Sequence, residues 1–125
     1  CWDAGLRDKG RGAGQPWAVS SLAQAAGVAA LGETAYADGV RDLMAEEGPR
    51  LAAGLRALGL YGVGVRANSL LFQAPADFGE TLRGRGAVGR SCANYPGLAG
   101  SRYRTAVRTN AENHKLLQIM GAVLA

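Results

Sequence analysis

The side chains from residue 102 to residue 109 alternate without a break. Arg102, Arg104, Ala106 and Arg108 share one parity, and Tyr103, Thr105, Val107 and Thr109 share the other. Because successive side chains of a β-strand point to opposite faces, this pattern predicts a strand over 102–108 with three guanidiniums on one face. No Asp or Glu occurs between residues 81 and 111, so the sequence nearby offers no carboxylate to balance them.

An anion-binding site is one interpretation of this basic strand, since Arg90 adds a further guanidinium just upstream. Like charges on one face repel unless an anion lies between them, and the rigid fork of a guanidinium matches carboxylate and phosphate. The sequence therefore predicts a site for a small, doubly anionic ligand. Two plainer interpretations stay open: a solvated sheet face, or pairing with acids elsewhere, such as Asp42, Glu46 and Glu47.

The order of the predicted elements indicates an α+β domain. Residues 1–15 are Gly-rich, charged and without periodicity, which predicts irregular structure. The predicted helices are 20–31, 33–58 with a kink or break at Gly48-Pro49, 77–83 capped by Asp77, and a closing helix after a capping box at 109–112; the predicted strands are 61–67, 69–73, a short one around Val88, and 102–108. This order predicts a small, mostly antiparallel sheet with helices packed on one face.

Length, charge and cysteine content narrow the functional classes. The 125 residues fit one small domain. The net charge of +4 would allow nucleic-acid binding, but the chain has only two Lys, so we expect no nucleic-acid partner. No apolar run approaches the roughly 20 residues of a membrane span, so we expect no membrane partner and a cytoplasmic location. Cys1 and Cys92 form no disulfide framework and lack metal-ligand spacing with His114, which predicts no metal site.

Four segments, in order along the chain, carry a resemblance to a known family. Residues 16–26 are similar to a helix that leads into a small domain, 67–72 to a small-domain strand, 86–98 to the next strand and loop, and 103–117 to a strand and final helix. Over 15–125 the chain thus resembles the C-terminal part of pyridoxal-phosphate enzymes of fold type I. The group is that of the class I/II aminotransferases, which includes histidinol-phosphate aminotransferase and the cobalamin-pathway threonine-phosphate decarboxylase.

The resemblance implies an organisation and a function. Residues 1–15 would be an irregular N-terminal remnant, and 16–125 an aminotransferase-like small domain. This domain would clamp a small, anionic substrate, a phosphorylated amino acid, for a lyase like threonine-phosphate decarboxylase. A large domain, missing here, would hold most of the pyridoxal phosphate, and the full-length enzyme would be a homodimer. Because the chain starts with Cys rather than Met, we expect a processed, trimmed or incomplete product.

The same resemblance assigns roles to four residues. Arg104 matches the arginine that holds the substrate α-carboxylate in the family. Arg90 and Arg108 are assigned to the substrate phosphate or to the same carboxylate. Asn94 is the fourth substrate-binding residue, in the loop that carries Arg90. No catalytic residue is assigned.

The Schiff-base lysine is the main departure from the family. Only Lys9 and Lys115 are present, and neither lies in the family's Ser-x-x-Lys-like context. We therefore expect the isolated chain to be inactive, and to contribute to activity only within a full-length lyase or aminotransferase. The alternatives are a histidinol-phosphate-type aminotransferase, a non-catalytic remnant whose basic face binds anions, and an interaction module whose Ala/Gly-rich helix packs on a partner.

Overall fold

The computed structural model of the chain describes residues 3–14, 19–98 and 101–125. These residues group into two compact units, Cys1–Ala37 and Asp38–Ala125. The predicted domain boundary between residues 15 and 16 lies outside the described residues, so the division into 1–15 and 16–125 stays a prediction.

The first unit begins with a helix that the sequence pattern did not indicate. Helix α1 spans Ala4–Ala13 and starts after Asp3, whose carboxylate accepts a hydrogen bond from the N–H of Leu6 at 2.7 Å. An aspartate at this position satisfies one of the unpaired donors of the first turn. The prediction of irregular structure over 1–15 is therefore wrong for these ten residues, because a cap, rather than apolar periodicity, marks this helix.

Helix α2 spans Ser21–Gly32 and confirms the helix predicted over 20–31. It begins after Ser20, whose hydroxyl accepts a hydrogen bond from the N–H of Ala23 at 3.2 Å. None of its residues is buried, although most are apolar, and Leu31 is 84% exposed. This helix therefore contributes nothing to a core within its own unit.

Helix α3 spans Thr34–Ala57 and continues through Pro49. Of the two predicted alternatives at Gly48-Pro49, the break is therefore wrong, and the kink stays a prediction. A proline removes one helical hydrogen bond, but residues on both sides of it, such as Glu47 and Leu51, are buried in the same helix.

The predicted helix end at Gly59 is confirmed. Gly59 has a φ of 76°, its N–H donates to the carbonyl of Arg56 at 2.9 Å, and the N–H of Leu60 donates to that of Leu55 at 2.9 Å. This is a Schellman motif, in which a left-handed residue, usually glycine, closes the helix.

Four antiparallel strands form one sheet in the order β1-β2-β4-β3. They are β1 Tyr61–Arg66, β2 Ser69–Gln73, β3 Arg90–Ser91 and β4 Arg102–Ala106. A two-residue turn at Ala67-Asn68 joins β1 and β2. The strand predicted around Val88 is reduced to Arg90 and Ser91, and Val88 itself is 70% exposed, because the third strand pairs with β4 at these two positions only.

Three helices cover one face of this sheet. They are α3, α4 at Phe78–Gly84 and α5 at Asn110–Leu124. The largest buried side chains are Phe72, Phe78, Leu51, Leu55, Leu70, Leu82 and Met120, and they come from β2 and from all three helices. The predicted α+β class, with a small antiparallel sheet and helices on one face, is confirmed. Among the helices that the structure describes, none combines the length and apolar character that a bilayer crossing demands.

A close approach between α4 and the sheet gives the first testable prediction. A Cβ on Gly79 would lie 2.8 Å from Cε1 of Tyr103, whose hydroxyl is held by donating to the carbonyl of Ala76 at 2.8 Å. Since this ring cannot withdraw freely, we expect Gly79→Ala to lower the free energy of unfolding by about 1–3 kcal/mol. The matched control is Gly84→Ala in the same helix, where the new Cβ meets nothing within 4 Å. Equal losses in urea unfolding of the two variants would contradict the prediction.

Candidate anion-binding site on the open sheet face

Two arginines occupy opposed positions on the sheet face that the helices leave open. Arg104 of β4 lies directly opposite Arg90 of β3 on one side and opposite Leu71 of β2 on the other. Side chains paired in this way have Cβ atoms about 4.5–5.5 Å apart, and like charges at such positions are destabilising. Both arginines are exposed. The arrangement favours an anion that bridges them.

The loop after β3 places an aromatic ring against Arg90. The N–H of Tyr95 donates to the carbonyl of Cys92 at 3.0 Å, and the N–H of Leu98 donates to that of Tyr95 at 3.1 Å. The second turn has Pro96-Gly97 at its centre, and Gly97 has a φ of 82°. These turns place the Tyr95 ring 5.7 Å from the guanidinium carbon of Arg90, a cation–π distance.

A pocket of about 380 Å³ lies beside this pair. Its lining consists of Gly64, Ser69, Leu71, Cys92, Tyr95, Leu98 and Arg104. Cys92 is 3% exposed, as a small apolar residue at the wall of the pocket. The pocket therefore joins one guanidinium to apolar walls and hydroxyl groups, which suits a small anion with a short carbon chain.

The four predicted site residues do not all converge. The structure places Arg90 opposite Arg104 on neighbouring strands, but of the two only Arg104 lines the pocket. Asn94 is exposed within the loop and is not among the residues that line the pocket. Arg108 lies beyond the end of β4, which stops at Ala106, two residues earlier than predicted. Their roles as substrate ligands stay predictions.

Arg102, which shares the parity of Arg104, is half-buried opposite Gln73 at the far end of β4. It is not among the residues that line the pocket. It therefore offers an internal comparison for Arg104 on the same strand.

Arg108 has an acidic partner, Glu112, just beyond the acid-free stretch of residues 81–111. Its Nε donates to Oε1 of Glu112 at 2.8 Å. The predicted capping box is confirmed, since Oε2 of Glu112 accepts the N–H of Thr109 at 3.3 Å. The hydroxyl of Thr109 and then Arg108 are the main donors that lower the pKa of Glu112 below its usual value. The charge of Arg108 is thus balanced by Glu112, whereas no carboxylate among the described residues forms an ion pair with Arg104.

A buried carboxylate in α3 also escaped sequence reasoning. Glu47 is 2% exposed and accepts hydrogen bonds from Nδ2 of Asn113 at 3.0 Å, from Nδ2 of Asn110 at 3.0 Å and from Nη1 of Arg50 at 2.8 Å. Glu46 pairs with the same arginine at 2.8 Å. These two acids therefore pair with Arg50. The interpretation in which Glu46 and Glu47 pair with the arginines of the sheet is wrong.

The buried Glu47 predicts an acid-sensitive fold. Hydrogen bonds from Asn113 and Asn110 lower the pKa of Glu47, so its stabilising effect is complete above the unfolded pKa of about 4.3 and is lost as the pH falls through the lower folded value. We expect the free energy of unfolding to drop between about pH 5 and about pH 3, and Glu47→Gln to make that drop shallower. Urea unfolding across this range is the measurement. A drop of equal size in Glu47→Gln would assign the acid sensitivity to other carboxylates, such as Glu112.

The described residues do not fit the covalent anchor of pyridoxal phosphate. Lys9 lies in α1, and Lys115 lies in α5 beside Arg108. Both are exposed. Lys115 is not among the residues that line the pocket at Arg104, and Lys9 lacks the Ser-x-x-Lys-like context of the family. Across the described part of the chain there is also no group of three or more His, Cys, Asp or Glu arranged to hold a metal ion.

Comparisons with known proteins agree on one family. Threonine-phosphate decarboxylase of Salmonella typhimurium is 39% identical over 113 residues, which are 87% of this chain and 31% of that protein. Histidinol-phosphate aminotransferase of an Anaeromyxobacter species is 38% identical over 113 residues, which are 87% of this chain and 30% of that protein. No family model matches the chain.

The fold is similar to that of a solved structure. The crystal structure of the histidinol-phosphate aminotransferase from Clostridium acetobutylicum superposes with a TM-score of 0.88 at 23% identity, over 98% of this chain and 38% of that one. The chain spans only 30–31% of the length of the two curated relatives above. It matches a C-terminal part of threonine-phosphate decarboxylase and histidinol-phosphate aminotransferase, and it therefore belongs to the family of these enzymes, the pyridoxal-phosphate-dependent class I/II aminotransferases.

Proposed function

We propose that this chain is the substrate-clamping part of a pyridoxal-phosphate enzyme that acts on a phosphorylated amino acid, as threonine-phosphate decarboxylase does. The observation that carries the proposal is the opposed pair of guanidiniums, Arg90 and Arg104, beside a pocket on an open sheet face. Arg104 holds the substrate carboxylate in this proposal, and Arg90 shares it or reaches the phosphate. The clamp excludes water and fixes the substrate for chemistry performed elsewhere in the enzyme.

The remainder of the enzyme completes the proposal. Because the described lysines do not fit the Schiff-base role, the cofactor is held by a large domain outside this chain, and the full-length enzyme is a homodimer with a small anionic substrate. Pyridoxal phosphate, when bound in that domain, would supply an electron sink. This chain supplies electrostatic recognition, for which fixed guanidiniums are suited.

The two candidate substrates differ in whether they carry a carboxylate. Phosphothreonine carries a carboxylate and a phosphate, whereas histidinol phosphate carries a phosphate alone. Two guanidiniums opposed across neighbouring strands, with Arg108 further along, favour the ligand with two anionic groups. The alternative, a histidinol-phosphate-type aminotransferase, is favoured by the 38% identity to such a protein.

Ligand titration tests the proposal. O-phospho-L-threonine and histidinol phosphate are added in turn to the isotope-labelled chain, and NMR shifts are followed at Arg90, Arg104 and Tyr95. We expect tighter binding of O-phospho-L-threonine, with the largest shifts at Arg104. Tighter binding of histidinol phosphate would favour the aminotransferase. Equal binding of inorganic sulfate would leave a basic face that binds anions without selection, which is the remnant alternative.

A further inference from the structure

A chain of buried polar side chains lies behind Arg108. We propose that Asn113, held by Glu47, is a positioning residue that fixes the backbone of Arg108 and so directs its guanidinium toward the substrate phosphate. The inference rests on the proposed function for the identity of the anion. Its structural part concerns three elements only: α3, the end of β4, and α5.

The side-chain amide of Asn113 takes the place of a neighbouring strand for Arg108. The last ladder-like bond of this segment runs from the N–H of Val107 to the carbonyl of Asn68 at 2.8 Å. One residue later, Oδ1 of Asn113 accepts the N–H of Arg108 at 3.0 Å, and Nδ2 donates to its carbonyl at 2.8 Å. Both backbone groups of Arg108 are therefore paired as the chain leaves the sheet.

Glu47 determines the orientation of that amide. Asn113 is 4% exposed, and its Nδ2 also donates to Oε2 of Glu47 at 3.0 Å. An ionised carboxylate only accepts hydrogen bonds, so it faces the NH₂ end of the amide and leaves the oxygen for the N–H of Arg108. Asn110 and Arg50 occupy the other oxygen of Glu47, which fixes the carboxylate in turn.

The side chain of Arg108 is held at two points as a result. Its backbone is fixed by Asn113, and its Nε is fixed by Glu112 at 2.8 Å. The side chain is nonetheless 64% exposed, so the outer part of the guanidinium is accessible to an anion. A guanidinium restrained in this way loses less conformational entropy on binding phosphate than a free one.

A double-mutant cycle tests whether Asn113 acts through Arg108. The dissociation constant of O-phospho-L-threonine is measured by NMR titration of the 125-residue chain for wild type, Asn113→Ala, Arg108→Gln and the double variant. We expect Asn113→Ala to weaken binding about tenfold in the wild-type background and to add little to Arg108→Gln. A positioning residue loses its effect when the residue it positions is gone. The same loss in both backgrounds means a general structural role and overturns the proposal.

A control separates positioning from stability. Gly79→Ala destabilises the packing of α4 but touches neither Glu47, Asn113 nor Arg108, so it should retain wild-type affinity. If Asn113→Ala does not fold, Glu47→Gln replaces it in the cycle, with the same non-additivity expected.

The outcome for Arg108→Gln distinguishes the inference from the proposed function. If this variant binds O-phospho-L-threonine as wild type does, the phosphate assignment of Arg108 is wrong. The positioning claim is then judged by the Nε–H resonance of Arg108 alone. A resonance that does not move between wild type and Asn113→Ala overturns it.

Discussion

Replacing Arg104 with Ala is expected to lower kcat/KM about 10- to 150-fold in a complete enzyme. This corresponds to about 1.5–3 kcal/mol, the range for a charge-assisted hydrogen bond to a carboxylate. The assay enzyme is a chimera in which residues 16–125 replace the matching C-terminal region of the Salmonella typhimurium threonine-phosphate decarboxylase. Arg104→Lys keeps the charge but loses the bidentate fork, so we expect an intermediate loss.

Arg102→Lys is the matched control for this prediction. Arg102 has the same strand parity as Arg104, but it lies opposite Gln73 and does not line the pocket. We expect it to change kcat/KM little. Equal losses at the two positions would show that the sheet face acts through diffuse charge, and the specific role of Arg104 would be wrong.

Phe72→Ala is expected to cost about 3–5 kcal/mol of unfolding free energy, a large share of what a small domain possesses. Phe72 is fully buried, and its ring centroid lies 6.0 Å from those of both Phe78 and Tyr103. The substitution empties the centre of this aromatic cluster, and the main chain of β2 cannot move in to fill it because β2 is bonded on both edges.

Val88→Ala provides the comparison for the core variant, since Val88 is 70% exposed. We expect a change within about 0.5 kcal/mol. Thermal unfolding followed by circular dichroism measures both variants. A loss for Phe72→Ala no larger than that for Val88→Ala would mean that the second unit does not fold around this cluster.

Local patterns predicted the elements whose signals are local. Residues 69–73 were predicted as a strand and form β2 with those bounds, and the capping box at 109–112 begins α5. The alternation over 102–108 correctly put Arg104 and Tyr103 on opposite faces of β4. The position of Arg90 opposite Arg104 required the sheet order, which places β3 beside β4 and is not encoded in either strand alone.

The elements that were missed have physical reasons. Helix α1 is marked in the sequence by its capping side chain, Asp3, and contains only one large apolar residue, Leu6. The Glu112 partner of Arg108 lies four residues away and just outside the acid-free stretch, so helical i, i+4 spacing would have found it. The hydrogen bonds that Asn110 and Asn113 donate to Glu47 join residues 63 and 66 positions apart, and no local pattern signals them.

These long-range bonds also bear on when the second unit can fold during synthesis. Helix α5 is the last described element in chain order, yet it supplies Met120 to the core and Asn113 to the buried carboxylate of Glu47. A nascent chain that ends before α5 leaves Leu51 and Leu55 of α3 without this cover and leaves Glu47 without two of its donors. We therefore expect stable folding of this unit only after α5 has left the ribosome, with its apolar residues available to chaperones until then.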